Sequence, residues 1–307
     1  MEINMYDIII IGGGAAGLSA AIYAGRSGLK TLVAEGTSYG GQMNYTYEVD
    51  NYPGINDNPA GAELSEKMRE HAKKFDIEFT TETVKNISGA NDRIKTVETR
   101  KNSYLTKTII FASGASPKRL GAEGEDRFYG VGVSYCATCD GAFFKGQDVA
   151  VAGGGNTAFE DALYLARFAK SVTLIHRRDQ FRAVSTLVEK AKENPKIKFV
   201  LNSEIDKIEG DTTVSGIEVV NNKTNKRTDI PVSGVFIAVG ITPKSELAGR
   251  YVDLDENGFI ITNEKMETSV PGIYAAGDVR NTPLRQIVTA AADGAVAATY
   301  AVNFING

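Results

Sequence analysis

The sequence predicts an α/β protein with two Rossmann-like, three-layer domains, one of them inserted into the other. The main observation is an internal repeat, in which YDIIIIGGGAAGLSAAIYAGRSGLKTLVAE is matched by DVAVAGGGNTAFEDALYLARFAKSVTLIHRR. The two copies align without a gap, so that Gly12 corresponds to Gly153 and Gly14 to Gly155. One glycine motif is weak evidence, but two copies in the same strand–turn–helix context indicate two dinucleotide-binding units.

The first copy predicts a strand over 6–11, a helix over about 15–27 and a second strand over 31–34. The glycines between the first strand and the helix let a pyrophosphate approach the backbone at the positive end of the helix. The alternative is a glycine turn in an ordinary βαβ unit that binds no ligand. The full structural context of both copies weighs against this alternative.

A second repeated pattern predicts where the inserted domain begins and ends. TIIFASGASPK and GVFIAVGITPK each contain an apolar strand, a glycine, two residues and Pro-Lys, which is typical of a last strand followed by an exit linker. We therefore expect a discontinuous domain formed by 1–117 and 244–307, and an inserted domain formed by 118–243. The returning segment contains PGIYAAGDV, which ends a strand and turn at Asp278, and a helix is expected from about Arg285.

The residues that close the second strand of each copy indicate which dinucleotide is bound. Glu35 in the first copy can accept hydrogen bonds from ribose hydroxyls and would repel a 2′-phosphate. The second copy has HRRDQFR at this place, where arginines would bind a 2′-phosphate, although a solvated basic turn is the alternative. We expect NADPH in 118–243. FAD suits the discontinuous domain because it accepts a hydride and releases electrons singly or in pairs, and the residues alone leave NAD open there.

The composition disfavours several classes of partner and compartment. A net charge of −4 with 23% charged residues gives no reason to expect nucleic acid or an anionic membrane as a partner. The uncharged stretch at 8–25 contains the glycine turn and lacks the basic start and cleavage site of a signal peptide. We expect a soluble, cytoplasmic protein, in which reducing conditions disfavour a purely structural disulfide.

Cys136 and Cys139 are the only cysteines, and they lie in SYCATCDGAFF between the two glycine motifs. The pair could bind half a zinc site, form a structural disulfide, remain as inert thiols or shuttle electrons. Zinc is disfavoured because only His71 and His176 are left to accompany the cysteines, and we expect no metal site. Asp140 could accept or donate the proton that disulfide exchange requires, or serve only as a turn residue.

Taken together, the motifs resemble the bacterial low-molecular-weight thioredoxin reductases over essentially the whole chain. The matching segments are, in chain order, GGGAAG, GGQMNYTYEVDNYPG, CATCDG, GGGNTA, HRRDQFR and AAGDV followed by RQ. The sequence departs from the family in having Tyr52 where a tryptophan is usual, and in a short C-terminal end. Neither departure touches the chemistry.

The resemblance implies roles for individual residues. Cys139 would face the flavin, Cys136 would attack the disulfide of the protein partner, and Asp140 would manage the proton. The implied FAD contacts are Gly12, Gly14, Ala15, Glu35, Gln42, Asn51, Asp278, Arg285 and Gln286. The expected NADPH contacts are Gly153, Gly155, Asn156, Thr157, His176, Arg177, Arg178 and Arg182.

The function expected on these grounds is that of an NADPH-dependent thioredoxin-disulfide reductase, a homodimer with non-covalent FAD that acts on thioredoxin. Electrons would pass from NADPH to FAD, then to the Cys136–Cys139 disulfide, and then to oxidised thioredoxin. The disulfide and the nicotinamide motif share one domain and must each reach the flavin, so we expect a domain rotation between half-reactions. The alternatives are a ferredoxin-dependent flavin thioredoxin reductase, which GGGNTA with HRRDQFR disfavours, and a non-catalytic flavin redox sensor.

Overall fold

The computed structural model of the chain describes residues 4–46 and 48–307, so Tyr47 in the GGQMNYTYEVDNYPG segment lies outside the described residues. The chain forms two compact units. The first, which we call the outer unit, contains the residues up to Ser116 together with Thr242–Gly307. The second, which we call the inserted unit, contains Pro117–Ile241. Which cofactor each unit binds stays a prediction.

The elements confirm the predicted α/β class. The strands are β1 (Met5–Ile11), β2 (Thr31–Ala34), β3 (Glu78–Thr80), β4 (Asn86–Ser88), β5 (Lys95–Glu98), β6 (Ser103–Phe111), β7 (Ala115–Pro117), β8 (Val133–Ser134), β9 (Asp148–Gly153), β10 (Ser171–His176), β11 (Ile197–Leu201), β12 (Ser203–Gly210), β13 (Val214–Asn221), β14 (Arg227–Pro231), β15 (Gly234–Ala238), β16 (Ile241–Pro243) and β17 (Ile273–Ala275). The α-helices are α1 (Ala15–Arg26), α2 (Gly61–Lys73), α3 (Ala137–Asp140), α4 (Asn156–Leu165), α5 (Ser185–Glu193) and α6 (Ile287–Asn306). The helix expected from about Arg285 begins at Ile287 because Gln286 is its N-cap, in a capping box with Thr289.

The outer unit is built on a sheet with the strand order β3-β2-β1-β6-β5-β4. β1 is parallel to both β2 and β6, whereas β5 and β4 are antiparallel additions. The expected last strand before the exit linker, β6, lies inside the sheet. It pairs with β1 on one side and with β5 on the other, and its final residues also pair with β17. The carboxyl ends of β1, β2 and β6 therefore meet at one edge, where the first glycine turn opens.

α6 packs closely along α1, and a glycine permits the approach. A Cβ on Gly294 would lie 2.0 Å from the Ala16 carbonyl oxygen. Ser19 Oγ donates a hydrogen bond to the Ala291 carbonyl at 2.7 Å, and Ala297 on the same helix is fully buried. α6 is long and apolar enough to cross a membrane by length and composition alone. Its packed alanine face is equally typical of a helix in a protein core.

The inserted unit contains a parallel sheet with the order β11-β10-β9-β15-β8. Ser134 at the end of β8 pairs with Phe236, and Gly153 at the end of β9 pairs with Ala238 on the same strand β15. The segment that carries Cys136 and the second glycine turn therefore leave the sheet at the same edge. An antiparallel sheet of β12, β13 and β14, which the sequence patterns did not predict, completes the unit.

The connections between the units contain β7 and β16, which pair with each other. The Lys118 N–H donates to the Gly240 carbonyl at 2.9 Å, and the Lys244 N–H donates to the Gly114 carbonyl at 2.9 Å. Gly114 and Gly240 have φ angles of +71° and +113°. Each connection thus contains a glycine in a backbone conformation that other residues adopt only with strain.

Candidate functional site

Cys136 and Cys139 form a disulfide across one short helical turn, with their Cα atoms 5.3 Å apart. Cys136 is the N-cap of α3, and its carbonyl oxygen accepts hydrogen bonds from the N–H groups of Cys139 and Asp140 at 3.2 and 3.1 Å. The predicted close cysteine pair is confirmed. Across residues 4–46 and 48–307, no three His, Cys, Asp or Glu side chains are grouped as a metal site requires.

Ser134 links the cysteine loop to Asp140, and no sequence motif indicated it. Its hydroxyl donates to Asp140 Oδ2 at 2.6 Å and accepts a hydrogen bond from the Cys136 N–H at 3.0 Å. Ser134 is 3% exposed, whereas Asp140 and Cys136 are half-buried. The proton-handling residue that the sequence suggested is therefore held by a buried hydroxyl.

A second cluster, also missed from the sequence, surrounds Tyr135. Glu125 is buried and accepts hydrogen bonds from the N–H groups of Leu120 and Gly121 at 3.0 and 2.7 Å, and from the Tyr135 hydroxyl. Burial and the Glu125 carboxylate raise the pKa of Tyr135, while Arg119 donates to the same phenol oxygen at 2.9 Å. This cluster anchors the residue that precedes Cys136.

The first glycine turn leaves space at the start of α1. Gly14 is the N-cap of α1 without a side-chain cap, and a Cβ placed on it would lie 3.9 Å from its nearest neighbour, the Gly40 carbonyl oxygen. Gly12 has a φ of +112°, and a Cβ there would lie 2.3 Å from the Ala112 carbonyl oxygen. The N–H groups of the first helical turn, beginning at Ala15, are thus available to an anion such as a pyrophosphate.

Glu35 lies beside this turn. Its Oε2 accepts the Gly13 N–H at 2.9 Å, and its Oε1 accepts the Thr37 N–H at 3.1 Å. A carboxylate at this position is adjacent to the glycine turn, where a ribose hydroxyl would lie if the turn bound a dinucleotide as predicted.

The remaining predicted FAD contacts are brought together from distant parts of the chain. Gln42 Nε2 donates to the Ala115 carbonyl, and Asn51 Nδ2 donates to Gln286 Oε1 at 3.1 Å across 235 positions of sequence. All four residues belong to the outer unit.

Asp278 and Arg285 lie in a desolvated environment. Burial raises the pKa of Asp278 to about 6, against the opposing effect of the Arg285 charge and with a further increase from Asp293. Burial lowers the pKa of Arg285, and its Nε is buried without a hydrogen-bond partner in the described part of the chain. A buried donor that lacks an acceptor fits a site completed by a polar cofactor. Together with the open glycine turn, it is compatible with a flavin dinucleotide.

The second glycine turn repeats the arrangement of the first. Gly155 is the N-cap of α4 without a side-chain cap, and a Cβ on it would meet nothing within 4 Å. Thr157 is exposed in the first turn of α4, and Asn156 Oδ1 accepts the Val184 N–H at 2.9 Å. Gly153 has a φ of +157°, and a Cβ there would lie 2.4 Å from a carbonyl oxygen of β15. This turn also leaves room for a phosphate.

The basic segment after β10 combines a packed histidine with exposed arginines. The His176 ring lies against Gly154, and its Nε2 is 3.1 Å from the Gln180 carbonyl oxygen. Burial lowers the pKa of His176 against the opposing effect of its hydrogen bond to the Gln180 backbone, and the nearby arginine charges lower it further. The three arginines are exposed, and none of them forms a salt bridge within the described residues: Arg177, Arg178 and Arg182. The cluster therefore presents uncompensated positive charge beside the second turn.

Known proteins resemble this chain over nearly its whole length. The family model for pyridine nucleotide-disulphide oxidoreductases matches residues 6–294. A thioredoxin reductase from Peptoclostridium acidaminophilum is 44% identical over 308 residues, covering 98% of each chain. The crystal structure of thioredoxin reductase from Streptococcus pyogenes MGAS5005 is 45% identical, with 98% of each chain covered and a TM-score of 0.94. Lactococcus lactis thioredoxin reductase in its FR conformation is 43% identical, covering 98% of this chain and 99% of that one, with a TM-score of 0.66.

Proposed function

The chain belongs to the pyridine nucleotide-disulphide oxidoreductase family, and within it to the thioredoxin reductases, and on this premise we propose that it reduces thioredoxin with electrons from NADPH. The main support is the Cys136–Cys139 disulfide, which lies at the edge of a Rossmann-like sheet beside a second dinucleotide turn. Family membership implies a flavin and a pyridine nucleotide. FAD and NADPH are the specific forms that we propose.

We assign non-covalently bound FAD to the outer unit. When bound, a flavin accepts an electron pair from a reduced nicotinamide and delivers it to a disulfide. The open turn at Gly14 would receive the pyrophosphate and Glu35 would contact the ribose. The Nε of Arg285, which is buried without a hydrogen-bond partner among the described residues, would donate to the cofactor. The other members of the proposed set are Gly12, Ala15, Gln42, Asn51, Asp278 and Gln286.

Gly14→Ala and Gly155→Ala are expected to separate the two cofactor sites. Each position has extended backbone and room for a Cβ within the chain itself, so both variants should fold. The methyl group would occupy the space proposed for a pyrophosphate. Gly14→Ala should therefore weaken FAD binding by about tenfold or more and spare NADPH, and Gly155→Ala should do the reverse. Dissociation constants for each nucleotide provide the measurement, and equal losses of both nucleotides in one variant would contradict the assignment.

NADPH is assigned to the inserted unit because the exposed arginines of HRRDQFR form no salt bridge within the part of the chain that the structure describes. A 2′-phosphate would pair with Arg177, Arg178 and Arg182, while the His176 ring packs against Gly154 of the turn. Gly153, Asn156 and Thr157 complete the proposed set.

Arg177→Ala or Arg178→Ala is expected to weaken NADPH binding by roughly 1–3 kcal/mol, the usual value of a hydrogen bond to a charged group. NADH lacks the 2′-phosphate, so its binding should not change. Arg227→Ala is the control, because Arg227 is an exposed arginine of the same unit that pairs with Asp206 at 2.8 Å. If both donors lose affinity equally, HRRDQFR is only a solvated surface.

The proposed exchange uses both sulfurs in sequence. The Cys136 thiolate attacks one sulfur of the thioredoxin disulfide, which forms a mixed disulfide and releases the first substrate thiolate. Cys139 then attacks the Cys136 sulfur, which restores the Cys136–Cys139 bond and releases the second thiolate. Two electrons pass to the substrate, and the two protons of the dithiol end on the two substrate thiols. Asp140 is the proposed acceptor and donor of these protons.

We further propose that the inserted unit rotates between half-reactions. The disulfide and the proposed NADPH site belong to one unit, and the proposed flavin site belongs to the other. The two connections between the units pair with each other, and each contains a glycine, Gly114 or Gly240. They are suited to a rigid rotation of one unit relative to the other. The spread in TM-score between two relatives of similar identity, 0.94 and 0.66, is also compatible with a family that adopts more than one arrangement.

Steady-state reduction of thioredoxin with NADPH, NADH or reduced ferredoxin as donor tests the whole proposal. Turnover with NADPH supports it, whereas turnover only with ferredoxin would favour a ferredoxin-dependent reductase. Flavin reduction without turnover would favour a redox sensor.

A cytoplasmic homodimer also remains a prediction. The exposed apolar residues Tyr23, Val288 and Phe304 on α1 and α6 are compatible with a subunit contact.

A further inference from the structure

We infer that Ser134 is a positioning residue for disulfide exchange, because its hydroxyl connects the Cys136 backbone to Asp140 and stabilises the ionised carboxylate. This inference rests on the proposed function, in which Asp140 handles the protons. Ser134 does not touch the substrate sulfurs and acts through Asp140.

The geometry assigns the single hydroxyl proton of Ser134 to Asp140. Asp140 Oδ2 is 2.6 Å from Ser134 Oγ, whereas the competing acceptor, the Cys136 carbonyl oxygen, is 3.3 Å away. The oxygen of the same hydroxyl accepts the Cys136 N–H at 3.0 Å. A continuous chain therefore runs from the Cys136 N–H through Ser134 to the Asp140 carboxylate, in the direction that favours its negative form.

Ser134 is rigidly held, as a positioning residue must be. It is the last residue of β8, its backbone is in register with Phe236 of β15, and it is 3% exposed. Asp140 is the last residue of the short helix that begins after Cys136. The bond from the end of the strand thus sets where the carboxylate at the end of the cysteine turn lies.

Removal of the hydroxyl should raise the pKa of Asp140. A hydrogen bond donated to a carboxylate stabilises its ionised form, with an effect of about one pKa unit per bond. Asp140 must be ionised to accept the proton of a thiol. The acidic limb of the pH–rate profile should therefore move upward in Ser134→Ala, and the rate should fall most at low pH.

Other ionisable groups lie around the cysteine loop, and the comparison of pH profiles must leave them unchanged. On α4, which packs against α3, burial raises the pKa of Asp161 to about 7, with a further increase from Glu160. Next to β8, Glu125 and Tyr135 bond to each other and to Arg119. Lys145 follows the turn after α3. All of these groups are unchanged in Ser134→Ala, so a comparison of profiles isolates the hydroxyl.

The matched control is Ser171→Ala. Ser171 Oγ donates to Asp148 Oδ1 at 2.6 Å, the same type of bond at the same length in the same unit. Asp148 begins β9, at the opposite end of that strand from the glycine turn. Ser171→Ala therefore shows how much the pH profile changes when a serine–aspartate hydrogen bond is removed elsewhere in the same unit.

The experiment measures pH profiles of thioredoxin turnover with the FAD-loaded enzyme, and of oxidation of the pre-reduced Cys136–Cys139 dithiol by a small aromatic disulfide, dithionitrobenzoate, which needs neither thioredoxin nor NADPH. Ser134→Ala should shift the acidic limb of both profiles upward by about one pH unit, while the KM for thioredoxin and flavin reduction by NADPH stay unchanged. Ser134→Thr should restore the parent profile. Ser134→Ala should have no further effect in an Asp140→Asn background.

The inference is overturned if the Ser134→Ala profiles coincide with those of the parent. It is also overturned if Ser171→Ala produces the same shift, or if the loss persists in the Asp140→Asn background. A parent enzyme that fails to reduce thioredoxin refutes the proposed function, while the dithionitrobenzoate profile still decides the role of Ser134.

Discussion

Cys136→Ser and Cys139→Ser are each expected to abolish thioredoxin reduction while NADPH still reduces the flavin. The exchange needs one sulfur to attack the substrate and the other to release it, and the two cysteines form one disulfide in the structure. Loss of either should lower turnover by on the order of a thousandfold or more, the scale on which loss of a covalent catalytic group is felt. The measurement pairs the bleaching of flavin absorbance by NADPH with steady-state reduction of thioredoxin.

Ala142→Ser is a useful control for these variants, because it introduces a serine at an exposed position just after α3. It should leave both measurements unchanged. Normal turnover in either cysteine variant would end the dithiol mechanism, and loss of flavin reduction in both would show that the substitutions disturb more than the exchange.

Locking the two units together should stop turnover. The proposed cycle needs the disulfide at the flavin in one step, and the nicotinamide at the flavin with the disulfide accessible to a protein in the next. A cleavable cross-link between one engineered cysteine on each unit, placed away from both sites, would hold the disulfide-at-flavin arrangement. Thioredoxin turnover is expected to fall to background and to return when the cross-link is cleaved.

Each single engineered cysteine, treated with the same reagent, controls for modification alone. Undiminished turnover in the locked enzyme would exclude a rotation. A smaller motion within the cysteine loop would then have to explain how thioredoxin reaches Cys136. Rotation would have to occur about the paired connections β7 and β16.

Local patterns were sufficient to predict the fold class and the two glycine turns. Strand, turn and helix after Tyr6 and after Asp148 depend on residues within about 30 positions, and the structure places β1 and α1 within a residue of the predicted spans. The cysteine pair is similarly local, because a three-residue separation is enough for a disulfide across one turn. The antiparallel sheet β12–β14 and the internal position of β6 were not predicted, because strand partners are chosen by packing between distant segments.

The sequence by itself therefore determined the local groups that neighbouring residues form: two glycine turns, a cysteine pair close enough for a disulfide, and a basic segment. Only the tertiary structure decided how these groups are tuned. The bond from Ser134 to Asp140, the pairing of Asn51 with Gln286, and the burial that raises the pKa of Asp278 arise from elements folded against one another. Hydrogen-bond partners and desolvation depend on which surfaces exclude water together, and spacing along one chain does not encode that.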